Sequence, residues 1–375
     1  MMTKLPFDQQ VAKENSRKLK SLMERRGVDL IVACDPPTVR YLTGRGPFLT
    51  SSNPESASSE TVIMTRKHES PFVFVPSFYV DYWKGRVSIV QAVYQHSDLQ
   101  QFLEGPECAD SKIVEVSNEM PWRLLERIRS DLKQASLQPT GAVASESRLI
   151  KGPLELEALK RAAKIATVGM KAAVASCKPG VRECEVAGEA ERAMRVMGAE
   201  GFVFSTIVSS GVNSSMMQDV VTTKRIRKGE AVLIDLGATV GGYNSEFTRT
   251  VFVGKPKSLV AKAYMAVSDA LRRSIMQLRD GVVAGDIDSK ARQILSSHKV
   301  PGYRHHTGHG LGTGAMERPW IGAESKELIR ANMVIALEPA SYLPGIGGVR
   351  LEDNLVVTSE GVTILTKAPF EERAI

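Results

Sequence analysis

The sequence predicts two domains, a mixed α/β domain at residues 1–150 and an α+β domain at residues 151–375. A chain of 375 residues is about twice as long as a typical single domain. In the first part, short apolar runs alternate with segments of helical periodicity. In the second part, long helical segments lie apart from a strand-rich end. With 43% hydrophobic and 24% charged residues, the composition is that of an ordinary globular protein.

The first domain is predicted to begin with a helix and to continue with strands. Apolar residues recur at helical spacing over 14–30, and the pattern ends at Gly27. A polar stretch of small residues, Ser51–Ser59, predicts a mobile loop. The remaining predicted elements are a buried strand at Val28–Cys34 that ends at Asp35-Pro36-Pro37, strands at Glu60–Thr65, Pro71–Val75 and Val87–Val93, and a helix at Leu124–Ala135.

The second domain is predicted to start with a long helix. The pattern loosens at Gln138–Gly141, and a short strand and turn are expected before Lys151. Pro153 then suits a first helical turn, and Lys178-Pro179-Gly180 stops the helix after Ser176. The elements expected after it are helices at 182–197, 256–280 and 284–299, strands at 204–209, 231–238 and 247–253, and a strand-rich end from Met333 to Leu365.

The net charge of +7 raises the question of a nucleic-acid partner. The basic residues are spread along the chain, and the densest cluster, Lys224–Lys228, is short and lacks a nucleic-acid-binding motif. We therefore expect no nucleic-acid partner. A preference for anionic or carboxylate-ended substrates is the softer inference from the charge.

The sequence also indicates where in the cell the protein is expected. No run of about 18 apolar residues occurs, so no membrane span is expected. The N-terminal stretch lacks the apolar centre of a signal peptide, which favours a cytoplasmic protein. The four cysteines show no metal-ligand spacing and are interpreted as thiols in a reducing compartment.

Two carboxylates are predicted to face each other across a hairpin. Asp235 lies inside an apolar strand, where an aspartate is costly unless it is paired or bound to a metal. Glu246 follows after Gly241-Gly242, which predicts a turn between the two. An alternative is that Asp235 caps a turn and Glu246 pairs with Arg249.

A histidine and two further glutamates extend this set. His309 lies among glycines, which let the backbone approach a ligand closely, and His305 and His306 precede it. Glu338 and Glu352 each stand in an apolar strand context, where an ion pair with a nearby arginine is the alternative. Hard cations prefer oxygen ligands, and a single imidazole is compatible with manganese, cobalt, zinc or iron. The combined set predicts a metal centre.

These motifs resemble those of the pita-bread metallopeptidases, a family that includes methionine aminopeptidase, Xaa-Pro aminopeptidase and prolidase, together with creatinase. Arg40–Gly44 is similar to the start of the creatinase/prolidase N-terminal domain, and Leu149–Ala163 to the entry helix of the catalytic domain. The resemblance implies a ribonuclease H-like N-terminal domain, a pita-bread catalytic domain, a homodimer and two divalent metal ions. The ligand positions that it implies are Asp235, Glu246, His309, Glu338 and Glu352.

The sequence departs from the family pattern at three positions. Glu246 stands where the family has an aspartate, and the extra methylene moves the carboxylate by about 1.5 Å. Gln218 and Met316 replace histidines that help the peptidases bind substrate. These two residues and Tyr243 are the predicted substrate-binding positions. His305 matches a histidine that lines the pocket in the family, and Arg350 matches an arginine of the family motif beside the glutamate at 352. We expect both to orient the substrate; the alternatives are a surface histidine and a structural ion pair of Arg350 with Glu352 or Asp353.

The expected activity is metal-dependent hydrolysis of a C–N bond by activated water. The favoured substrate is a small peptide of Xaa-Pro type, with Glu338 taking the proton of the water and passing it to the leaving nitrogen. An alternative is a creatinase-like hydrolase or lyase that acts on a small nitrogenous or zwitterionic metabolite. A non-catalytic pita-bread binding protein is a further alternative, because Glu246, Gln218 and Met316 all depart from the peptidase pattern.

Overall fold

The computed structural model describes residues 5–45, 60–139, 143–217 and 220–367. The chain divides into two compact units, Met1–Arg148 and Leu149–Ile375. The predicted loop Ser51–Ser59 and Gln218 lie outside the described residues. Within the described ranges, no helix combines the length and the apolar character that crossing a bilayer requires.

The first unit is built on a mixed six-stranded sheet with the strand order β4-β3-β2-β1-β5-β6. Neighbours β3/β4, β1/β5 and β5/β6 are parallel, whereas β1/β2 and β2/β3 are antiparallel. Both faces of β1 are buried: Ile31 and Ala33 pack on one side, and Leu30 and Val32 on the other. The elements are α1 (Phe7–Arg26), β1 (Leu30–Ala33), α2 (Pro36–Thr43), β2 (Thr61–Thr65), β3 (Phe72–Val75), α3 (Val80–Arg86), β4 (Ala92–Gln95), α4 (Leu99–Glu104), β5 (Ile113–Val116), α5 (Trp122–Asp131), β6 (Ser136–Pro139) and α6 (Val143–Leu149).

Two predictions in this unit were wrong. The strand expected at Val87–Val93 starts only at Ala92, and residues 87–91 form an irregular connection after α3. The strand and turn expected before Lys151 are instead α6. The side chain of Glu115 accepts a hydrogen bond from the backbone N of Val143 at 3.1 Å across 28 residues, so the cap that starts this helix comes from a distant strand.

The second unit contains two antiparallel sheets and a separate hairpin. One sheet has the order β10-β9-β7, with β8 also pairing with β9, and the other has the order β12-β11-β13-β16-β17. The hairpin is β14-β15. The elements are α7 (Pro153–Ser176), α8 (Glu183–Val196), β7 (Gly201–Phe202), β8 (Ile207–Ser210), β9 (Ala231–Val240), β10 (Tyr243–Phe252), α9 (Ser258–Gln277), α10 (Ala284–Ser297), β11 (Gly308–Gly310), β12 (Glu317–Ile321), β13 (Val334–Leu337), β14 (Ala340–Leu343), β15 (Gly347–Arg350), β16 (Asp353–Val357) and β17 (Val362–Ile364).

Helices cover the sheets of this unit and leave the strand ends to carry polar side chains. Helix α7, which has the predicted bounds, packs on β9 and β10, while α9 and α10 pack together and α9 contacts β15. Strands β9 and β10 are buried along nearly their whole length. Charged residues inside such strands need partners, because burying a charge without one is costly.

Candidate metal centre

The β9–β10 hairpin carries two carboxylates on one face. Asp235 is paired with Thr248, and Glu246 is paired with Gly237. Because the two pairs are two residues apart, both carboxylates point to the same side of the sheet. Gly241 and Gly242 form the turn with φ values of +57° and +78°, a backbone conformation that favours glycine.

His309 enters the same region from the short strand β11. A Cβ at Gly308 would lie 2.1 Å from the carbonyl O of Ala336, and one at Gly310 would lie 2.1 Å from that of Arg318. The flanking glycines therefore let β11 fit between the backbones of β13 and β12, whereas the sequence suggested that they make room for a ligand. Nδ1 of His309 contacts the carbonyl O of Gly310 at 3.0 Å, which leaves Nε2 to face the carboxylates.

Glu338 and Glu352 stand just outside strand ends rather than within strands. Glu338 follows β13, and its backbone N donates to the carbonyl O of Thr307 at 2.8 Å. Glu352 links β15 to β16, and its backbone N donates to the carbonyl O of Thr248 at 3.0 Å. Its Oε2 also accepts a hydrogen bond from the hydroxyl of Thr248 at 2.7 Å. Backbone and side-chain bonds thus fix both glutamates next to the hairpin.

These side chains converge on a region the size of a metal centre. Nε2 of His309 lies 3.4 Å from Oε2 of Glu246 and 3.7 Å from Oε1 of Glu338. One ligand atom from each of Glu246, His309 and Glu352 lies within 4.8 Å of the other two. Asp235 is not in this three-residue group, and its Oδ2 is bound to Arg350 at 2.5 Å.

The residues present fit divalent cations. Oδ1 of Asp235 and Oε1 of Glu352 are buried and have no hydrogen-bond partner among the described residues. Such orphaned carboxylate oxygens are costly unless a cation meets them. A donor set of carboxylates with one imidazole is also the chemistry that first-row divalent metals accept.

Several buried carboxylates lie close together in the centre, so their negative charges repel one another. Burial and the neighbouring carboxylates, Glu352 first among them, hold the pKa of Glu246 well above its ordinary range. Burial and repulsion from Asp235 and Glu338 do the same to the pKa of Glu352. Burial raises the pKa of Glu338 to about 7 and lowers that of His309 to about 4. The imidazole is therefore neutral at physiological pH, and this is the form that binds a metal.

Arg350 connects the centre to a loop and to a tyrosine. Its Nη1 donates to the hydroxyl of Tyr342 and to the carbonyl O of Met217, both at 2.9 Å. Burial lowers the pKa of the Arg350 guanidinium, but attraction to Asp235 and the other acidic groups outweighs it and raises the pKa. Arg350 thus stays charged beside Asp235.

His305 lies at the edge of the centre. Its Nδ1 is 3.9 Å from Oε1 of Glu338 and 2.7 Å from the carbonyl O of His306. Since a carbonyl only accepts, Nδ1 carries the hydrogen, and Nε2 can accept one from the Tyr342 hydroxyl at 3.2 Å. Burial lowers the pKa of His305 to about 4, consistent with this neutral form.

The ion pairs that the sequence left open fall elsewhere. Arg249 binds Asp353 at 2.8 Å and does not pair with Glu246. Arg350 binds Asp235 rather than Glu352 or Asp353. Separate local ion pairs therefore do not account for the clustering of the glutamates.

Two of the predicted substrate-binding residues lie in the part of the chain that the structure describes. Tyr243 is an odd number of residues from Glu246, so it points to the opposite face of β10, where its buried hydroxyl donates to Glu155 at 3.0 Å. Met316 is 60% exposed and does not form a buried wall. The position of Gln218 falls in a part of the chain that the structure does not describe.

Three residues of the centre were not predicted from the sequence. Tyr342 links His305 to Arg350, Thr248 binds Glu352, and Oδ1 of Asn354 accepts hydrogen bonds from the backbone N of Glu246 at 3.0 Å and the hydroxyl of Ser245 at 2.8 Å. Thr248 and Asn354 are polar residues inside buried strands, and that signal could have pointed to them.

A cavity of about 600 Å³ opens beside His305. Trp320, Arg304 and Lys326 contribute to its lining, and the ring of Trp320 is 6.3 Å from that of His309. Arg304 and Lys326 are exposed to solvent there. The acidic lining residues include Glu327, which is bound to Arg318 at 2.6 Å.

Two family profiles together match most of the chain. The profile of metallopeptidase family M24 matches residues 157–359, and that of the creatinase/prolidase N-terminal domain matches residues 16–150. Both fall in the order that the sequence motifs imply. The fold predicted from the resemblance, a creatinase-type N-terminal domain followed by a pita-bread catalytic domain, is confirmed.

Individual proteins resemble the chain over nearly its full length. An Xaa-Pro dipeptidase of Pyrococcus horikoshii is 30% identical over 96% of this chain and 99% of its own. The crystal structure of the prolidase from Pyrococcus horikoshii OT3 superposes with a TM-score of 0.83 at 29% identity, covering 95% of this chain and 99% of that one. That of an X-Pro aminopeptidase from Thermotoga maritima gives a TM-score of 0.84 at 25% identity, covering 94% and 98%.

Proposed function

This chain belongs to metallopeptidase family M24, and on that premise we propose that it is a metal-dependent hydrolase that cleaves the Xaa–Pro bond of dipeptides or short peptides. The convergence of Glu246, His309 and Glu352 carries the proposal. The orphaned oxygens of Asp235 and Glu352 support it, because bound cations would satisfy them. The names of the relatives, an Xaa-Pro dipeptidase and a prolidase, favour this substrate class.

The proposed metal ligands are the five residues that the sequence singled out. Asp235, Glu246, His309, Glu338 and Glu352 would hold two divalent ions, which supply Lewis acidity when bound, polarising a carbonyl and easing the deprotonation of water. The backbone bonds of Glu338 and Glu352 hold these carboxylates in place before any cation arrives. A centre preorganised in this way loses little free energy to rearrangement during the reaction.

Three side chains have proposed roles in handling the substrate. The carboxylate of Glu338 would accept the proton of the attacking water and return it to the proline nitrogen as the bond breaks. His305, 3.9 Å from Glu338, would orient the substrate beside that carboxylate. Arg350 would fix Asp235 and, through the hydroxyl of Tyr342, the imidazole of His305.

The cavity beside His305 suits a small peptide with a free carboxylate. Its volume of about 600 Å³ is within the usual range for small-ligand pockets. The exposed cations Arg304 and Lys326 line it and would attract the carboxylate of a dipeptide. The net positive charge of the whole chain would also attract a substrate that ends in a carboxylate.

A dipeptide panel tests the proposal. The purified protein is stripped of metal with a chelator, reloaded separately with manganese, cobalt, zinc or iron(II), and supplied with Ala-Pro, Met-Pro, Ala-Ala or Pro-Ala. We expect proline release from the two Xaa-Pro substrates only, and only after reloading. Ala-Pro amide should be a poorer substrate than Ala-Pro, because it lacks the carboxylate. Absence of turnover with every metal would refute the proposed activity.

Two alternatives are tested by extending this experiment to further substrates and to a double variant. Turnover of small amidino or cyclic amide compounds without Xaa-Pro hydrolysis would favour a creatinase-like hydrolase, which the replacement of family histidines by Gln218 and Met316 motivates. Silence toward all substrates, followed by a gain of peptidase activity in the Gln218→His, Met316→His double variant, would favour a non-catalytic binding protein.

Three finer properties stay predictions. Manganese, cobalt, zinc and iron are all candidate metals, and reloading with single metals ranks them by activity. A homodimer is expected by resemblance to the family, and light scattering of the purified protein tests it. A cytoplasmic location also stays a prediction, and cell fractionation tests it.

A further inference from the structure

An aspartate–arginine pair on helix α10 binds the segment that carries His305 through hydrogen bonds. Asp288 is fully buried, and its Oδ2 accepts from Nε of Arg292 at 2.7 Å while its Oδ1 accepts from Nη2 at 3.1 Å. The same guanidinium donates from Nη1 to the carbonyl O of Tyr303 at 2.7 Å and from Nη2 to that of His305 at 2.8 Å. One side chain therefore binds one carboxylate and two backbone carbonyls.

The rings of this segment are stacked on that guanidinium. Cζ of Arg292 lies 4.5 Å from the centroid of the Tyr303 ring. The Tyr303 ring stacks in turn on the His305 imidazole at 4.7 Å, with an angle of 27° between the planes. Arg292 thus holds His305 twice, through its carbonyl and, by way of Tyr303, through its ring.

The network ends at the proposed centre. The hydroxyl of Thr307 donates to Oδ1 of Asp288 at 2.6 Å and contacts the Tyr303 hydroxyl at 2.5 Å. The carbonyl O of Thr307 accepts from the backbone N of Glu338 at 2.8 Å. Asp288 and Arg292 therefore support both His305 and the strand end that presents Glu338, although neither is among the proposed ligands.

We propose that Arg292 is a positioning residue that sets the ring plane and the backbone of His305 for the hydrolysis, with Asp288 holding the guanidinium in place. This inference rests on the proposed function for its catalytic consequence. A planar fork with five donors can bind three acceptors at fixed angles, whereas a lysine ammonium is a point charge on a flexible stem. Arg292→Lys therefore keeps the charge but frees His305.

A double-mutant cycle separates positioning from general stabilisation. We expect Arg292→Lys to lower kcat on Ala-Pro by about 10- to 100-fold, since small misplacements in an active site cost that much. In a His305→Ala background the same change should cost less than about twofold, because the group that it positions is gone. Equal losses in both backgrounds would show that Arg292 acts only as a structural residue and would overturn the proposal.

The chain offers a matched control on the neighbouring helix α9. Arg273 donates from Nε to Oδ1 of Asp269 at 2.8 Å, with the same four-residue spacing, but this pair lies on the surface. Arg273→Lys should leave kcat unchanged in both backgrounds. If Arg292→Lys does not fold, Arg292→Gln replaces it in the cycle, because Gln keeps a planar donor group without the full fork.

A spectroscopic readout keeps the inference testable even if Xaa-Pro hydrolysis is absent. The chain has six histidines, so selective ¹⁵N labelling gives few imidazole signals, and His305→Ala assigns that of His305. We expect the protein to show a single His305 tautomer with the proton on Nδ1, and Arg292→Lys to shift or broaden that signal while Arg273→Lys leaves it alone. An unchanged His305 signal in Arg292→Lys would overturn the positioning role independently of the activity.

Discussion

Arg350 donates from Nη2 to Oδ2 of Asp235 over 2.5 Å, and both side chains are buried. The pair leaves Oδ1 of Asp235 without a hydrogen-bond partner among the described residues. Arg350 therefore offsets part of the negative charge of the centre and occupies one of the two oxygens that Asp235 could offer a cation. The stability of the metal-free protein should depend on this guanidinium more strongly than that of the metal-loaded protein.

Replacing Arg350 by Gln tests that dependence. Removing one partner of a buried ion pair costs about 3–5 kcal/mol, so the Tm of the metal-free variant should fall clearly. Manganese should then raise its Tm by more than it raises the Tm of the unmodified protein, because the cation replaces the missing positive charge. Thermal unfolding with and without manganese measures both effects. Arg330→Gln, which removes an exposed ion pair with Asp280, is the control and should change neither.

Metal binding should stabilise the protein through His309 and Glu352. A ligand at 100 times its Kd stabilises a folded state by about 2.7 kcal/mol, so the Tm of the unmodified protein should rise with manganese concentration. His309→Ala and Glu352→Gln should abolish most of this rise and lower the metal content after gel filtration. His298→Ala, at a histidine near Asp269 on α9, should keep the full rise. A rise that survives in both ligand variants would place the metal elsewhere.

Glu246→Asp restores the residue of the family pattern, but we expect it to weaken metal binding in this chain. The backbone N of Glu246 is tied to Asn354 at 3.0 Å, so the strand cannot advance to follow a shorter side chain. The carboxylate would withdraw by about 1.5 Å, whereas metal–ligand distances are normally held within about 0.2 Å. Calorimetric titration with manganese should show at least one binding step weakened about tenfold or more. Unchanged or tighter binding would contradict this account.

The site could be predicted in part because its signal is local. Charged residues in apolar stretches stand out in any sequence, and this signal pointed to Asp235, Glu246, Glu338 and Glu352, although the last two lie just outside strand ends. The roles of Tyr342 and Asn354 depend on which residues of neighbouring strands lie opposite each other. The periodicity of a single segment does not reveal this register. The placement of Tyr243 on the face of β10 opposite to Glu246 could not be predicted, because the strand begins at 243 rather than at the predicted 247.

The same distinction applies to the fold. Helix α7 was predicted to the residue, because Pro153 at its start and Lys178-Pro179-Gly180 after its end are signals within the helix ends themselves. Helices α3 and α4 and strand β5 are short, and they could not be predicted from the residues within them. Packing on the first sheet stabilises the two helices, and parallel pairing with β1 and β6 stabilises β5. Helix α6 depends on a cap from Glu115, which no window of sequence around α6 contains.

Gly308→Ala should destabilise the second unit and disturb the centre. The added Cβ would lie 2.1 Å from the carbonyl O of Ala336, so β11 must move away from β13. Overpacking of this kind costs about 1–3 kcal/mol, and here it also shifts His309. The Tm should fall, and the manganese-dependent rise in Tm should shrink. Gly302→Ala, where an added Cβ meets nothing within 4 Å, should change neither the Tm nor its manganese-dependent rise.

The buried carboxylate of Glu115 should make the stability of the first unit depend on pH. Burial raises its pKa above the ordinary value of 4.5, although the hydrogen bond from the backbone N of Val143 opposes the shift. The folded state therefore binds the proton more tightly than the unfolded state. The contribution of Glu115 to stability is full below the unfolded pKa and is lost as pH rises through the folded pKa. Glu115→Gln keeps an oxygen that accepts from Val143 but cannot ionise.

The free energy of unfolding of Glu115→Gln, relative to the parent, should therefore increase as pH rises from about 4 to neutrality. The chain has three tryptophans, and two of them, Trp83 and Trp122, belong to the first unit. In a Trp320→Phe background, denaturant unfolding followed by fluorescence thus reports on that unit alone. Glu119→Gln, at an exposed carboxylate, is the control substitution. A difference that stays constant or shrinks with rising pH would mean that Val143 and the helix N-terminus stabilise the ionised form of Glu115 more than burial disfavours it.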